Sequence, residues 1–97
     1  MGSFLITNKA VEDLTAIWDY TLNTWSENQA EKYYLLLMHN CQELADEPKK
    51  GKSYTIIEKN ILGYKSGEHI IFYRIISPYE IEIIRILHSM MDLKNRI

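Results

Sequence analysis

Two apolar segments near the end of the chain constrain the fold more than any other feature of the sequence. The first runs from His69 to Ile76, the second from Ile81 to Leu87, and a short turn around Pro78 separates them. Both are dense in isoleucine, so the sequence predicts two neighbouring antiparallel strands. A strand with one face in water alternates apolar and polar residues. Because these segments do not alternate, we expect both faces of the sheet to be covered.

The residues before these strands are spaced as in two helices. Thr7 or Asn8 caps the first helix, the capping box Ser26-x-x-Gln29 starts the second, and Pro48 follows its end. Each helix carries an apolar stripe that we expect to be buried. The stripe of the first helix consists of Val11, Leu14, Trp18, Leu22 and Trp25, with Ala10, Ile17 and Thr21 beside them. The stripe of the second helix consists of Ala30, Tyr33, Tyr34, Leu37, Cys41, Leu44 and Ala45.

Short β-rich segments at residues 3–7, 54–57 and 61–65 complete the pattern. The order β-α-α-β-β-β(-β) predicts one α+β domain over residues 1–97, with an antiparallel sheet packed against an antiparallel two-helix hairpin. The joins between the late strands are too short for parallel crossovers. The helices can cover one face of the sheet. The other face needs the chain's own loops or tail, a twin subunit or a different protein.

The net charge of −2 conceals a division between the two halves of the chain. Residues 1–48 hold two lysines against eight acids, whereas residues 49–97 hold nine bases against five acids. Such asymmetry is typical of a surface that meets a charged partner. It narrows the search for a functional surface to the second half.

Several classes of protein are excluded by what the sequence lacks. No apolar run reaches the roughly 18 residues of a membrane span, and the first residues do not resemble a secretory signal, so we expect a cytoplasmic protein. Three dispersed histidines and the lone Cys41 share no ligand spacing, so we expect no metal. Without a glycine-rich phosphate loop, we expect no cofactor. Cys41 lies on an apolar stripe and is interpreted as a core thiol.

Side chains suited to RNA cleavage are concentrated in the last two strands. Attack by a 2′-hydroxyl needs a base, an acid and a cation for the charged phosphorane. Alternation nevertheless places Tyr73 and Arg74 on opposite faces. The alternative is that the arginines bridge strands and tail while the histidines form hydrogen bonds at strand ends. The candidates are Glu68, His69, Tyr73, Arg74, Arg85 and His88.

Two other groups are assigned structural roles. Trp18 and Trp25 are interpreted as core residues rather than as a ligand platform. The acids Glu12, Asp13 and Asp19 of the first helix are interpreted as a solvated face.

Five motifs follow one another in order along nearly the whole chain. They are Ala10-x-x-Asp13-Leu14-x-x-Ile17-Trp18-x-Tyr20-Thr21, Trp25-x-x-x-Gln29-Ala30-x-x-Tyr33, Leu44-Ala45-x-x-Pro48-x-x-Gly51, His69-x-Ile71-Phe72-Tyr73-Arg74-Ile75 and Ile84-Arg85-Ile86-Leu87-His88-x-x-Met91-Asp92. Together they resemble the ParE toxins of the RelE/ParE superfamily. The resemblance implies the fold expected above and a toxin of a type II toxin–antitoxin system. Such systems inhibit growth and stabilise plasmids.

The resemblance also implies partners and a choice between two activities. A small antitoxin, often of the ParD type, neutralises the toxin in a hetero-oligomer. Characterised ParE toxins inhibit DNA gyrase, whereas RelE-like relatives cut messenger RNA on the ribosome, and fold alone does not decide between them. A net charge of −2 is unlike a ribosomal RNA binder. We therefore expect a gyrase-binding toxin rather than an enzyme, with no membrane contact and no specific DNA binding.

Alternatives to the gyrase prediction are a RelE-type endoribonuclease, or a relative that binds only its antitoxin. If the chain is a nuclease, the candidate catalytic residues are Tyr73, Arg74, Arg85 and His88. Met90 stands where many ParE sequences carry a basic residue, and Lys52 replaces an arginine. We expect the antitoxin to cover the sheet face away from the helices. The expected target-binding residues are Arg74, Arg85, His88, Met90, Met91, Asp92, Lys94 and Arg96.

Overall fold

The computed structural model describes residues 1–54 and 58–90, and its elements follow the predicted order. Most of the predicted strand at 54–57 and of the closing segment 90–97 lies outside the described residues. The elements are β1 (Ser3–Ile6), α1 (Asn8–Thr24), α2 (Glu27–Asp46), a 3₁₀ turn (Pro48–Lys50), β2 (Lys52–Ser53), β3 (Leu62–Ser66), β4 (His69–Ser77) and β5 (Glu80–His88).

The strands form one sheet in the order β1-β5-β4-β3-β2. Strands β2 to β5 are antiparallel neighbours, as predicted from their short connections. The sheet is mixed rather than entirely antiparallel as predicted, because β1 lies parallel to β5, from the pair Ser3–Glu80 to the pair Ile6–Ile83. The β4–β5 hairpin lies inside the sheet. Its residues do not alternate because buried clusters lie on both of its faces, although Ile75 and Ile76 are 38% and 49% exposed. Beyond Ile83, β5 extends past the end of β1.

Both predicted helix caps are present. The side chain of Thr7 accepts a hydrogen bond from the Ala10 N–H at 3.1 Å, and the side chain of Ser26 accepts one from the Gln29 N–H at 3.1 Å. Each cap satisfies a backbone donor that has no partner inside the helix. The two helices form the expected hairpin on one face of the sheet.

The buried face of α1 differs from the predicted stripe. Ala10 and Thr21 are buried, whereas Val11 and Leu22 are exposed and Trp25 is 72% exposed. Neighbouring helix positions are turned about 100° from each other. The apolar arc of α1 is wider than its contact with the sheet, so only part of the predicted stripe is buried: Leu14 and Ile17 pack against the core, whereas Val11, Leu22 and Trp25 do not. The interpretation of Trp25 as a core residue is wrong.

Two clusters of buried side chains lie on the two faces of the sheet. The larger one joins both helices to the sheet and includes Leu37, Leu44 and Tyr73. The smaller one lies on the face away from the helices and consists of Ile61, Ile70, Phe72 and Leu87, with Tyr54 and Ile84 packed against it. Tyr54 and Ile61 flank the chain segment that precedes β3. The chain itself thus covers this part of the far face, which is one of the alternatives left open by the sequence.

No helix in the described part of the chain is long and apolar enough to cross a membrane.

Candidate functional site

A groove of about 1020 Å³ opens between α1, the α1–α2 turn and the adjoining ends of β4 and β5. We call it the histidine groove. On one side its lining includes Ile17 and Tyr20 of α1, with the exposed Trp25 at the mouth. On the other side the lining residues are Tyr33, Glu68, His69, His88 and Met90. Aromatic and apolar surface therefore surrounds a few polar groups, as is typical of binding sites.

Asp13 holds the α1 side of the groove against β5. Its carboxylate accepts hydrogen bonds from Arg85 Nε at 2.8 Å, from Arg85 Nη2 at 2.9 Å and from the Ile86 N–H at 3.0 Å. The side chains of Asp13 and Arg85 are only 13% and 17% exposed. Because β1 stops pairing at Ile83, the carboxylate takes the place of a neighbouring strand at Ile86.

A β-bulge explains how Arg85 reaches α1. Phe72 pairs with Arg85 and Tyr73 pairs with Ile83, so Ile84 is the extra residue on β5. A bulge of this kind redirects the side chains beside it. The hydrogen bonds that Arg85 donates to the Asp13 carboxylate raise the pKa of Arg85 further, and the guanidinium stays charged.

Tyr33 of α2 holds the other side of the groove. Its hydroxyl accepts a hydrogen bond from the Glu68 N–H at 2.9 Å and lies 2.6 Å from His69 Nδ1. The turn beneath it needs glycine: Gly67 has φ +61°, and a Cβ there would lie 2.6 Å from the Tyr33 ring. Burial raises the pKa of Tyr33, so its hydroxyl remains protonated. The tip of the β3–β4 hairpin is thereby fixed to α2.

His69 and His88 meet in the groove at the ends of β4 and β5. They are cross-strand partners, and their rings pack edge to face with centroids 5.3 Å apart. The Nδ1 atom of His88 accepts a hydrogen bond from the Met90 N–H at 3.1 Å. Burial, and then the neighbouring His88, lower the pKa of His69. The neutral imidazole is therefore the stable form of His69 at neutral pH.

The four nuclease candidates are dispersed in this arrangement. Tyr73 lies on the helix side, where its hydroxyl donates to the Pro48 carbonyl at 2.6 Å and accepts from the Gly51 N–H at 2.9 Å. Burial raises the pKa of Tyr73. The remaining three candidates, Arg74, Arg85 and His88, are also separated from it. Arg74 lies 3.4 Å from Glu58 and pairs across the strands with Glu82, Arg85 binds Asp13, and His88 lines the histidine groove.

Of the other expected target-binding residues, Met90 lines the groove and is exposed. Met91, Asp92, Lys94 and Arg96 lie outside the described residues.

Sequence reasoning missed Asp13, Trp25 and Tyr33 as residues of the site. The interpretation of Asp13 as part of a solvated face is wrong, because its carboxylate is bound to β5. A signal was present, since Asp13 lies three residues after Ala10 and four before Ile17, on the side of α1 that faces the sheet. Cys41 is a core residue as predicted, and burial raises the pKa of its thiol to about 12.

The fold and the candidate site together define the class of protein. A two-helix hairpin packs on a mixed sheet, and an apolar groove between them contains two histidines. The family described as "ParE toxin of type II toxin-antitoxin system, parDE" matches residues 4–93. The curated relatives include Toxin ParE1 of Mycobacterium tuberculosis, 33% identical over 89 residues that cover 92% of this chain and 91% of the relative. Toxin ParE1 of Caulobacter vibrioides is 30% identical over 92 residues, covering 95% and 94%.

The chain therefore belongs to the ParE toxin family of type II toxin–antitoxin systems. A solved chain of the chromosomal ParDE TA system from P. aeruginosa is similar in fold, with a TM-score of 0.77 over 91% of this chain and 96% of that one. Because the two sequences are only 22% identical, this similarity supports the fold and not the function. The predicted family and the α+β fold class are both confirmed, and toxins of this family pair with ParD-type antitoxins.

Proposed function

We propose that this ParE toxin acts in the cytoplasm by binding DNA gyrase and blocking its activity, without breaking bonds through its own residues. The observation that carries the proposal is the dispersal of Tyr73, Arg74, Arg85 and His88, described above. Membership of the ParE family adds support, because gyrase inhibition is typical of ParE toxins.

The electrostatics of the histidine groove support a protein ligand rather than RNA. Its described lining includes Glu68 but no lysine or arginine. The nearby Arg85 is bound to the Asp13 carboxylate through two short hydrogen bonds. Cleavage of RNA would need a cation to stabilise the negative phosphorane, and binding of the RNA backbone would need several.

We infer further that the cognate ParD-type antitoxin docks in the histidine groove rather than on the far face of the sheet. Ile70 and Phe72 on the far face are already buried in a cluster with Ile61 and Tyr54. The groove, by contrast, exposes Tyr20, Trp25 and Met90 together. Exposed aromatic and methionine side chains around a concave surface are typical of protein interfaces.

A supercoiling assay with purified gyrase, toxin and antitoxin tests the proposal. The toxin should inhibit supercoiling, and an equimolar amount of antitoxin should restore it. Unimpaired supercoiling at high toxin excess would overturn the gyrase proposal. Cleaved transcripts in cells that express the toxin, lost on Arg85→Ala, would instead support the endoribonuclease. Normal growth under strong expression would indicate a relative that binds only its antitoxin.

The docking site is tested with a matched pair of exposed aromatic residues. Trp25 lies at the mouth of the groove, and Tyr79 lies at the β4–β5 turn. Because truncation of an interface hot spot costs about 2 kcal/mol or more, Trp25→Ala should weaken antitoxin binding roughly 30-fold. Tyr79→Ala should leave it unchanged. Equal effects of the two substitutions, measured by isothermal titration calorimetry, would contradict the assignment.

A further inference from the structure

Both histidines of the groove, His69 and His88, form a hydrogen bond within the protein through the ring nitrogen Nδ1. The Met90 N–H lies 3.1 Å from His88 Nδ1, and a backbone N–H can only donate. His88 Nδ1 is therefore an acceptor and carries no proton. In neutral His88 the proton must then be on Nε2.

The same conclusion holds for His69 through Tyr33. The Tyr33 hydroxyl accepts from the Glu68 N–H, so one of its lone pairs is occupied. Its single proton has two acceptors within reach, His69 Nδ1 at 2.6 Å and the Ser66 carbonyl at 3.3 Å. A contact of 2.6 Å lies within the range of a hydroxyl donor and is short for an N–H donor, whereas 3.3 Å is long for either. Tyr33 therefore donates to Nδ1, and neutral His69 also carries its proton on Nε2.

The two Nε2–H groups are open to the groove. Within residues 1–54 and 58–90, neither Nε2 atom has a hydrogen-bond partner, and no side-chain nitrogen there is buried without one. Both histidines line the groove, and their rings are in edge-to-face contact. The polar groups that the imidazoles offer to a ligand are thus two neighbouring donors, held in place by Tyr33 and by the backbone of Met90.

We propose that His69 and His88 are specificity-determining residues of the groove, locked as Nε2–H tautomers so that they donate to neutral acceptor oxygens of the antitoxin segment that docks there. Backbone carbonyls and side-chain amides have this chemistry. A carboxylate fits less well because Glu68 also lines the groove. This inference rests on the antitoxin-docking part of the proposed function and not on gyrase as the target.

The proposal also gives a sign for the pH dependence of binding. The titratable groups near His69 are Tyr33 from α2, Asp13 from α1, His88 from β5, and Glu68 beside it on the chain. Arg85 of β5 is bound to Asp13. Burial already lowers the pKa of His69, and a neutral antitoxin segment that covers the groove would bury it further. The antitoxin should then bind the form of His69 that is neutral, and protonation of His69 should oppose binding. Antitoxin affinity should therefore fall as the pH is lowered from 7.5 to 5.5.

Substitution by glutamine and by asparagine distinguishes the role of the Nε2–H donor from the role of the Nδ1 acceptor that holds the ring in place. In His88→Gln, the side-chain amide nitrogen replaces the Nε2–H donor, but the acceptor for the Met90 N–H is lost. In His88→Asn, the amide oxygen keeps that acceptor, but no donor reaches the Nε2 position. If the donor recognises the antitoxin, His88→Asn should weaken binding about tenfold and His88→Gln only slightly, since a lost hydrogen bond costs on the order of 1–2 kcal/mol. The same contrast is expected at His69.

His39 provides the matched control, because it lies on α2 and is exposed. Replacing His39 by asparagine or glutamine should not change antitoxin affinity. Circular dichroism and thermal unfolding of each variant establish that it is folded. Asparagine variants at His69 and His88 that bind as well as the glutamine variants would overturn the proposal, as would antitoxin affinity that rises towards pH 5.5.

Long-range ¹H–¹⁵N NMR correlations of the histidine rings test the tautomers without the antitoxin. Both His69 and His88 should show the Nε2–H pattern at pH 7.5, and an Nδ1–H pattern at either would contradict the assignment. The outcome is independent of the target. A toxin that fails to inhibit gyrase but keeps the asparagine–glutamine contrast refutes only the proposed target, whereas loss of the contrast with gyrase inhibition intact refutes only this inference.

Discussion

The coupling energy of the Asp13–Arg85 ion pair should be far larger than that of the more exposed Arg74–Glu58 ion pair. Both side chains of the Asp13–Arg85 pair are mostly buried, and the carboxylate receives two hydrogen bonds from the guanidinium. The matched pair is Arg74–Glu58, with a single contact of 3.4 Å between side chains that are 39% and 56% exposed. A double-mutant cycle on each pair measures the contrast.

The expected loss of stability in each variant depends on which charged or polar groups the substitution leaves without a partner. Asp13→Ala removes the partner of a mostly buried guanidinium and also the acceptor of the Ile86 N–H, so it should destabilise the fold by about 3–4 kcal/mol. Arg85→Ala leaves the Ile86 hydrogen bond in place and should cost about 2–3 kcal/mol. The coupling energy between Asp13 and Arg85 should therefore be about 2 kcal/mol, against less than about 0.5 kcal/mol for the exposed Arg74–Glu58 pair.

Urea unfolding followed by circular dichroism gives these free energies, provided that the slope of the transition is the same in all variants. A domain of this size is stabilised by only about 5–15 kcal/mol, so each single variant should shift the midpoint clearly. A coupling energy for Asp13–Arg85 that is no larger than that for Arg74–Glu58 would refute the reasoning, because burial and bidentate geometry would then contribute nothing measurable.

Two further predictions concern the second helix. Leu37→Ala should destabilise the fold by about 3 kcal/mol because it leaves a cavity under the sheet. Leu35 is exposed, so Leu35→Ala should change the unfolding free energy by less than about 0.5 kcal/mol. Similar midpoints in urea for the two variants would contradict the assignment of Leu37 to the core. Cys41 is fully buried with its pKa raised to about 12, so a thiol reagent at pH 8 should react only at the rate of unfolding; fast labelling of the native protein would show that the thiol is accessible.

Local features of the fold could be predicted from the sequence because they depend on few residues. The caps at Thr7 and Ser26 are side-chain hydrogen bonds to a backbone N–H three residues away, so sequence spacing alone identifies them. The burial of most of β4 and β5 on both faces follows from residues that do not alternate between apolar and polar. These predictions involve no choice of orientation between elements.

The site could not be predicted to the same extent because it depends on the rotation of α1 about its axis. Apolar residues cover more of α1 than the sheet can bury, so the pattern did not distinguish Ala10 and Thr21 from Val11 and Leu22. The same rotation turns Asp13 towards β5. That residue finds a partner only because β1 is too short to cover Ile86 and because the bulge at Ile84 redirects Arg85. Neither the length of β1 nor the bulge at Ile84 is visible in sequence spacing.

The division of charge between the two halves of the chain has a structural explanation in the ion pairs. Asp13 and Glu43 come from the acidic half, and they bind Arg85 and Lys50 of the basic half. The bases of the second half are therefore partly neutralised by the helices that pack on the sheet, rather than displayed together as a surface for RNA. A nucleic-acid ligand needs exposed cations, whereas a protein ligand needs apolar surface and oriented hydrogen-bond groups. The histidine groove offers the second set, which favours a toxin that acts by binding proteins.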